Sequence, residues 1–248
     1  MSKVVVITGA SAGIGAATAR LLASQGMSLG LLARRRDALE TVARDCGADA
    51  LPIVGDAAQR AEVRGAVEAT LARFGRIDVW INNVGQGISR PPSQLTDEDI
   101  DEVIRLNVKC ALYGMQEVLP HFKQQGEGHV INLSSMLGRI PFAVIRSAYV
   151  GAKHFLDALT ILFRAEVQET HPNIQFSIVS PPVVRTEFGM NARHGGPDSR
   201  TLPDSQSAEE VAAVIAQVIA SRTPDVYTRK GSAARVASYY ASIGVDPE

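Results

Sequence analysis

Tyr149 and Lys153 stand four residues apart near the start of a helix predicted over 148–169. That spacing puts both side chains on one helix face. A neighbouring ammonium favours the phenolate and draws a tyrosine pKa down from about 10 toward the range of a working acid/base. Tyr-x-x-x-Lys also arises by chance, and a plain surface pair is the alternative. Position separates the two readings. The pair follows a predicted strand, 128–133, whose end carries Ser134-Ser135. In open parallel sheets ligands bind beyond the carboxyl ends of the strands.

A second constellation lies near the N-terminus, in Thr8-Gly9-Ala10-Ser11-Ala12-Gly13-Ile14-Gly15. Glycine lets backbone turn tightly and approach a pyrophosphate, and the following helix N-terminus presents free N–H groups to it. The spacing is G-x-x-x-G-x-G, neither the general dinucleotide fingerprint nor a P-loop. A purely structural turn remains the alternative to nucleotide binding. The second strand then runs into Arg34-Arg35-Arg36. A reader of the free ribose 2′-hydroxyl would be Asp or Glu here, whereas arginine matches a 2′-phosphate. Three cations at a helix start oppose the helix dipole, so a solvated helix entrance explains them less well. The reading is NADP (NADPH), with NAD second. Asp56 either accepts from an adenine amino group or serves as a turn residue.

These residues need a scaffold, and the chain alternates strands with helices throughout. Strands are predicted at 4–8, 28–33, 50–54, 78–81, 128–133, 174–179 and 226–228, and helices at 14–24, 37–45, 61–73, 95–123, 148–169 and 207–221. Thr96 with Asp99, and Ser207 with Glu210, form capping boxes. The pattern predicts an α/β fold: a single Rossmann-like domain over 1–248, with a doubly wound parallel sheet of about seven strands and helices on both faces. One loose tract, 189–206, rich in Gly, Pro, Asp and Ser, reads as a lid within a substrate loop of about 185–206.

Composition removes other classes. The formal net charge of −1 lacks the basic excess of a nucleic-acid binder. Cys46 and Cys110 are too few for a disulfide framework and read as buried, inert thiols. No run is long enough for a membrane span, and no leader is visible, which sets the expectation of a cytoplasmic protein. The five histidines show no metal-ligand spacing, so no metal is expected.

The motifs Thr8-Gly9-x-x-x-Gly13-Ile14-Gly15, Asn82-Asn83-Val84-Gly85, Asn107, Ser135, Tyr149-x-x-x-Lys153 and Pro181-x-Val183-x-x-Thr186 occur in this order. In that order and over nearly the whole chain, the sequence resembles the short-chain dehydrogenase/reductase family. The resemblance implies an NADP-dependent oxidoreductase acting on a ketone or aldehyde and its alcohol. Tyr149 would exchange the proton with the substrate oxygen, Ser135 would orient that oxygen, and Lys153 would hold the nicotinamide ribose. Asn107 would hold a water relaying protons to Lys153. Ser135 is chosen over Ser134 because it lies three residues before Gly138, as the family pattern requires. Asn83 and Gly85 would line the adenine-ribose side, and Pro181, Val184 and Thr186 the nicotinamide amide and a phosphate. The chain departs from the pattern at Val84, usually Ala; at Pro182, usually Gly; and at Ala12, where many NADP-using relatives carry a cation.

Leu137, Phe142, Phe188 and Met190 are the candidate substrate contacts, joined by Met136 and Ile145, and they favour a hydrophobic small-molecule carbonyl or alcohol. Arg139 and Arg146 could instead meet an anionic group. His194 is either a substrate contact or a solvated loop residue. The helices 100–123 and 148–169 resemble the pair that forms a four-helix contact in this family, which implies a homodimer or homotetramer. Two other functions stay open. A 3-ketoacyl-type reductase needs a basic patch for an acyl carrier. A non-catalytic dinucleotide-binding sensor or scaffold needs no complete Asn107, Ser135, Tyr149, Lys153 set.

Overall fold

Val4–Thr8 (β1) is buried along its whole length, as a continuous apolar run must be when helices cover both faces of a parallel sheet. Six further strands join it: β2 (Ser28–Ala33), β3 (Ala50–Val54), β4 (Val79–Asn82), β5 (Gly128–Leu133), β6 (Ile174–Ser180) and β7 (Asp225–Tyr227). All pair in parallel, in the order β3-β2-β1-β4-β5-β6-β7. The structure is a computed structural model and describes residues 2–244.

The two-residue period of β1 sends Val5 and Ile7 to one face and Val6 to the other. Val5 and Ile7 pack under α1 (Gly13–Ser24), α2 (Arg36–Cys46) and α7 (Ala208–Ser221). Val6 joins Leu32, Trp80, Phe122 and Phe176 under α3 (Arg60–Phe74), α5 (Cys110–Gln125) and α6 (Ser147–Gln168). Strand order reverses between β1 and β4, and that switch point opens a crevice at the carboxyl edge of the sheet.

Two elements differ from the sequence expectation. The long helix expected over 95–123 is α4 (Asp97–Ile104) and α5, joined by a π turn over Arg105–Lys109. Within it Asn107 Nδ2 donates to the Val103 carbonyl at 3.0 Å and Cys110 Sγ to that of Arg105 at 3.3 Å. Apolar periodicity does not reveal a single inserted residue. A final helix, α8 (Ser232–Ala241), is absent from the sequence reading because most of its residues are exposed and too few apolar positions mark a buried face. Both capping boxes form as expected. Cys110 is buried and its thiol is pushed up to about 12, chiefly by burial, whereas Cys46 is only partly buried. Among the described residues no helix is long and apolar enough to cross a membrane, and no cluster could hold a metal ion.

Gly114 shows how tightly α5 meets the sheet. A Cβ there would collide with Asn82 Oδ1 and Trp80 Nε1, which are hydrogen-bonded to each other at 2.8 Å. Gly114→Ala is therefore expected to destabilise the protein by about 1–3 kcal/mol, the cost of overpacking a filled core. Denaturant unfolding measures it, and an unchanged midpoint would contradict the packing.

Candidate active site

The turn between β1 and α1 is built for close approach. Gly9 and Gly13 have φ of +69° and +53°, which glycine adopts freely. A Cβ on Gly15 would strike the Gly9 carbonyl, so this glycine holds the turn against the helix and does not itself line the cleft. Asn83 Nδ2 braces the turn by donating to the carbonyls of Thr8 (3.1 Å) and Gly9 (3.2 Å). The α1 N-cap is Ala12, whose side chain caps nothing, and the first turn carries no acid. The first N–H groups of α1 thus have no capping side chain and suit an anionic diphosphate. Thr186 crosses from the loop after β6 and lies 3.2 Å from the Cβ position of Gly13.

Ser11, Ile14, Arg34, Arg35, Asp56, Gly85, Pro181 and Val184 line the same cleft, whose volume is about 1380 Å³. Arg35 Nε and Nη2 lie 3.4 Å from Ser11 Oγ. Arg34 and Arg35 are exposed and no carboxylate pairs with either among the described residues. Asp56 acts as a turn residue at the edge of the cleft. One oxygen accepts from the Ala58 N–H at 2.9 Å, as a turn residue does, and the side chain also borders the cleft, 3.8 Å from Arg105 Nη1.

Tyr149 and Lys153 share the buried face of α6. Lys153 Nζ sits 5.6 Å from the Tyr149 ring centroid and donates to the Leu133 carbonyl at 2.7 Å. Ser135 accepts from the Leu137 N–H at 3.1 Å and lies beside the Tyr149 hydroxyl, favouring its phenolate. Asn107 Oδ1 accepts from the Gln86 N–H at 3.2 Å, and its Nδ2 donates to the Gln86 carbonyl at 2.9 Å. The Cβ position of Gly85 is 2.9 Å from Asn107 Oδ1 and 3.6 Å from Lys153 Nζ. The four side chains expected to act together therefore converge. Ser135 and Tyr149 face the cleft, with Lys153 and Asn107 buried behind them.

The expected depression of the Tyr149 pKa is not found. Burial pushes the phenol up to about 12, against the Ser135 hydroxyl and the charge of Arg146, which favour phenolate, and with the charge of Asp157, which opposes it. Burial also pulls Lys153 down to about 8, opposed by the charges of Asp157 and Cys110. Sequence spacing could not anticipate how completely α6 removes both groups from water.

Asp157, one turn beyond Lys153, is a buried carboxyl that the sequence reading missed. Burial raises it to about 7, against the charge of Arg139, the Ser134 hydroxyl and the charge of Lys153. Arg139 Nε lies 3.1 Å from Asp157 Oδ2, but directs its N–H to Ser180 Oγ at 3.3 Å. Ser134 lies beside Asp157. The signal was available: Tyr149, Lys153 and Asp157 are spaced i, i+4, i+8.

Residues 185–206 form an irregular segment tied down by single bridges, Ile88 with Arg193 and Val184 with Gln206. Phe188 from this segment lines the cleft, together with Leu137, Phe142, Met136 and Ile145. Met190 does not: it is 43% exposed, and Arg200 Nη2 approaches its sulfur at 3.7 Å. His194 is not a cleft residue either, because its Nε2 lies 2.7 Å from Asp99 Oδ1.

Asp99 is wholly buried and ties residues 193–194 to α4, meeting Arg90 Nη1 at 2.9 Å and Arg193 Nε at 2.5 Å. Burial raises its carboxyl, but hydrogen bonds from His194, Arg193 and the Thr96 N–H, with the charge of Arg90, outweigh it and hold it well below the usual range. A depressed carboxyl stabilises the fold above its unfolded pKa, about 3.9, and loses that contribution as pH falls. Asp99→Asn is expected to melt below the parent at neutral pH, with the gap narrowing toward acid pH. A gap that is constant with pH would contradict the charged anchor.

The sequence model of the short chain dehydrogenase family matches residues 3–196. An uncharacterized oxidoreductase of Staphylococcus saprophyticus is 42% identical over 190 residues, spanning 75% of this chain and 76% of that protein. One from Staphylococcus aureus is 32% identical over 221 residues, spanning 87% and 91%. A solved short-chain dehydrogenase from Sphingobium yanoikuyae, in complex with NADPH, superposes with a TM-score of 0.83 at 30% identity over 97% of this chain and 93% of its own. A short chain dehydrogenase/reductase from Burkholderia phymatum, in complex with NAD, shares the fold with a TM-score of 0.88 at 24% identity, covering 100% and 98%.

Proposed function

Since the chain belongs to the short-chain dehydrogenase family of oxidoreductases, we propose that it reduces a small-molecule ketone or aldehyde with NADPH, or runs the reverse reaction, with Tyr149 as the acid/base. The observation that carries this reading is the convergence of Ser135, Tyr149, Lys153 and Asn107 at the carboxyl edge of the sheet, beside an uncapped helix N-terminus. A dinucleotide sensor has no need of that set.

Bound in the cleft, the nicotinamide supplies or accepts the hydride. The uncapped α1 N-terminus and Thr186 suit its diphosphate, and Arg34, Arg35 and Ser11 suit a 2′-phosphate. During reduction Tyr149 gives its proton to the substrate oxygen as the carbonyl carbon takes the hydride, and Ser135 orients that oxygen. The resulting phenolate is stabilised by the Lys153 ammonium and regains a proton from solvent by way of Lys153 and a water that Asn107 would hold. Raised to about 12, Tyr149 is protonated across the neutral range and ready to act as an acid. Alcohol oxidation needs the phenolate and is expected to speed up as pH rises. The apolar residues of the cleft, with residues 185–206 as a lid, exclude water from the reacting carbon.

Phe155, Ile161 and Leu162 are exposed on α6, and they support self-association into a homodimer or homotetramer. A panel of ketones and aldehydes, assayed with NADPH and NADH by loss of reduced-nicotinamide absorbance, tests the function. Turnover by NADPH ahead of NADH is expected, and no consumption of either with any carbonyl would overturn it.

A further inference from the structure

We propose that the substrate carries a carboxylate on a short arm beside its carbonyl, and that the Arg146 guanidinium receives it. The inference rests on the carbonyl-reductase reading and narrows it to oxo acids and the corresponding hydroxy acids.

Arg146 sits at the N-terminal end of α6, three residues before Tyr149, and its side chain caps nothing. It reaches instead into the cleft lining, where it is clasped between the loop after β4 and the 185–206 segment. The Cβ position of Gly87 lies 2.9 Å from Arg146 Nη1 and 3.1 Å from Phe188 Cε1. That of Gly196 lies 2.9 Å from Arg146 Nη2. Any larger side chain at Gly87 would press on both the guanidinium and the Phe188 ring. Phe188 in turn meets the Tyr149 ring edge-on at 5.5 Å between centroids. A phenol, an apolar ring and a guanidinium thus border one small volume.

The guanidinium is underused. Its one hydrogen bond to the protein among the described residues runs from Nη1 to the Ile88 carbonyl at 3.1 Å. No carboxylate of the described residues lies within ion-pair distance of it. Arg200, by contrast, is paired with Asp198 and Glu187, and Arg139, the second candidate from the sequence, with Asp157 and Asp225. A half-buried cation without a counter-ion is costly, and a ligand carboxylate would offset that cost through two parallel N–H bonds from the guanidinium fork. Burial lowers the Arg146 pKa, and the only charge opposing it is that of Tyr149. With the carbonyl oxygen at Tyr149 and Ser135 and the carboxylate at Arg146, the rest of the substrate lies against Phe188 and Ile145.

The test uses matched pairs: phenylpyruvate, acetoacetate and benzoylacetate against their ethyl esters, with acetophenone and cyclohexanone as ketones lacking the acid. The full-length protein is assayed with NADPH and NADH. The expected result is an acid-to-ester ratio of kcat/KM of about tenfold or more for at least one pair, the size of a charge-assisted hydrogen bond. R146M is expected to abolish that preference, and R146K, which keeps the charge but not the fork, to restore only part of it. Should R146M fail to fold, R146K alone decides, because a preference it leaves untouched would overturn the proposal. Esters or plain ketones reduced as well as the acids by the unaltered protein would overturn it too, while leaving the carbonyl-reductase reading in place. Failure of every carbonyl with both cofactors would remove that reading, and this inference with it.

Discussion

Replacing Tyr149 with Phe is expected to cut kcat for carbonyl reduction by about 10²–10⁴, the worth of a positioned general acid, while leaving NADPH binding intact. The phenol is buried and faces the cleft, with its hydroxyl against Ser135. Removing one oxygen leaves the ring and its edge-on contact with Phe188 in place. The loss should therefore appear in kcat and not in stability or cofactor affinity. Lys153 cannot substitute directly, because its Nζ is committed to the Leu133 carbonyl behind the ring. Steady-state kinetics with NADPH titration by fluorescence checks this. A Tyr149→Phe enzyme that keeps parental kcat would show that the proton comes from elsewhere.

Arg34→Asp is expected to reverse the cofactor preference. Arg34 and Arg35 stand at the carboxyl end of β2 with no acidic partner among the described residues, and Arg35 also leans on Ser11. Ala12 supplies no cation, so under the proposed use of NADPH the recognition of its 2′-phosphate falls to the arginine pair. A charged hydrogen bond is worth about 1.5–3 kcal/mol, which corresponds to about 10–150-fold in affinity. A carboxylate at this place repels the phosphate and accepts from a free 2′-hydroxyl. The ratio of kcat/KM for NADPH over NADH should fall by at least that factor and lose much of its dependence on ionic strength. An unchanged ratio would mean that Arg35 and Ser11 read the phosphate without Arg34.

Much of this architecture was legible because short apolar strands alternate with helices, two of which open on capping boxes. Val4–Thr8 and the Ser207 capping box each declare an element through local chemistry alone. Gly9, Gly13, Tyr149 and Lys153 were legible as a site because backbone permissiveness and helical spacing act over a few residues. What depends on three-dimensional burial was not. Asp157 lies outside every motif, yet its carboxyl rests beside Lys153 and Ser134. The Tyr149 pKa rises where spacing alone argued that it should fall. Met190 and His194 share a flexible-looking loop with Phe188, and only the fold of that loop turns Phe188 inward, Met190 outward and His194 onto Asp99. Arg139 and Arg146 were indistinguishable as cations until the fold gave one of them two carboxylates and the other none.

The central claim is that the cleft at the β1–β4 switch point passes a hydride directly between nicotinamide and a carbonyl carbon. NADPH carrying deuterium at the transferable position of the nicotinamide, turned over with a reducible ketone or oxo acid, tests it most directly by mass spectrometry of the alcohol. The expected product holds deuterium on the carbinol carbon, with the hydroxyl hydrogen drawn from water. An alcohol free of label at that carbon, from either prochiral face of the labelled cofactor, would contradict it.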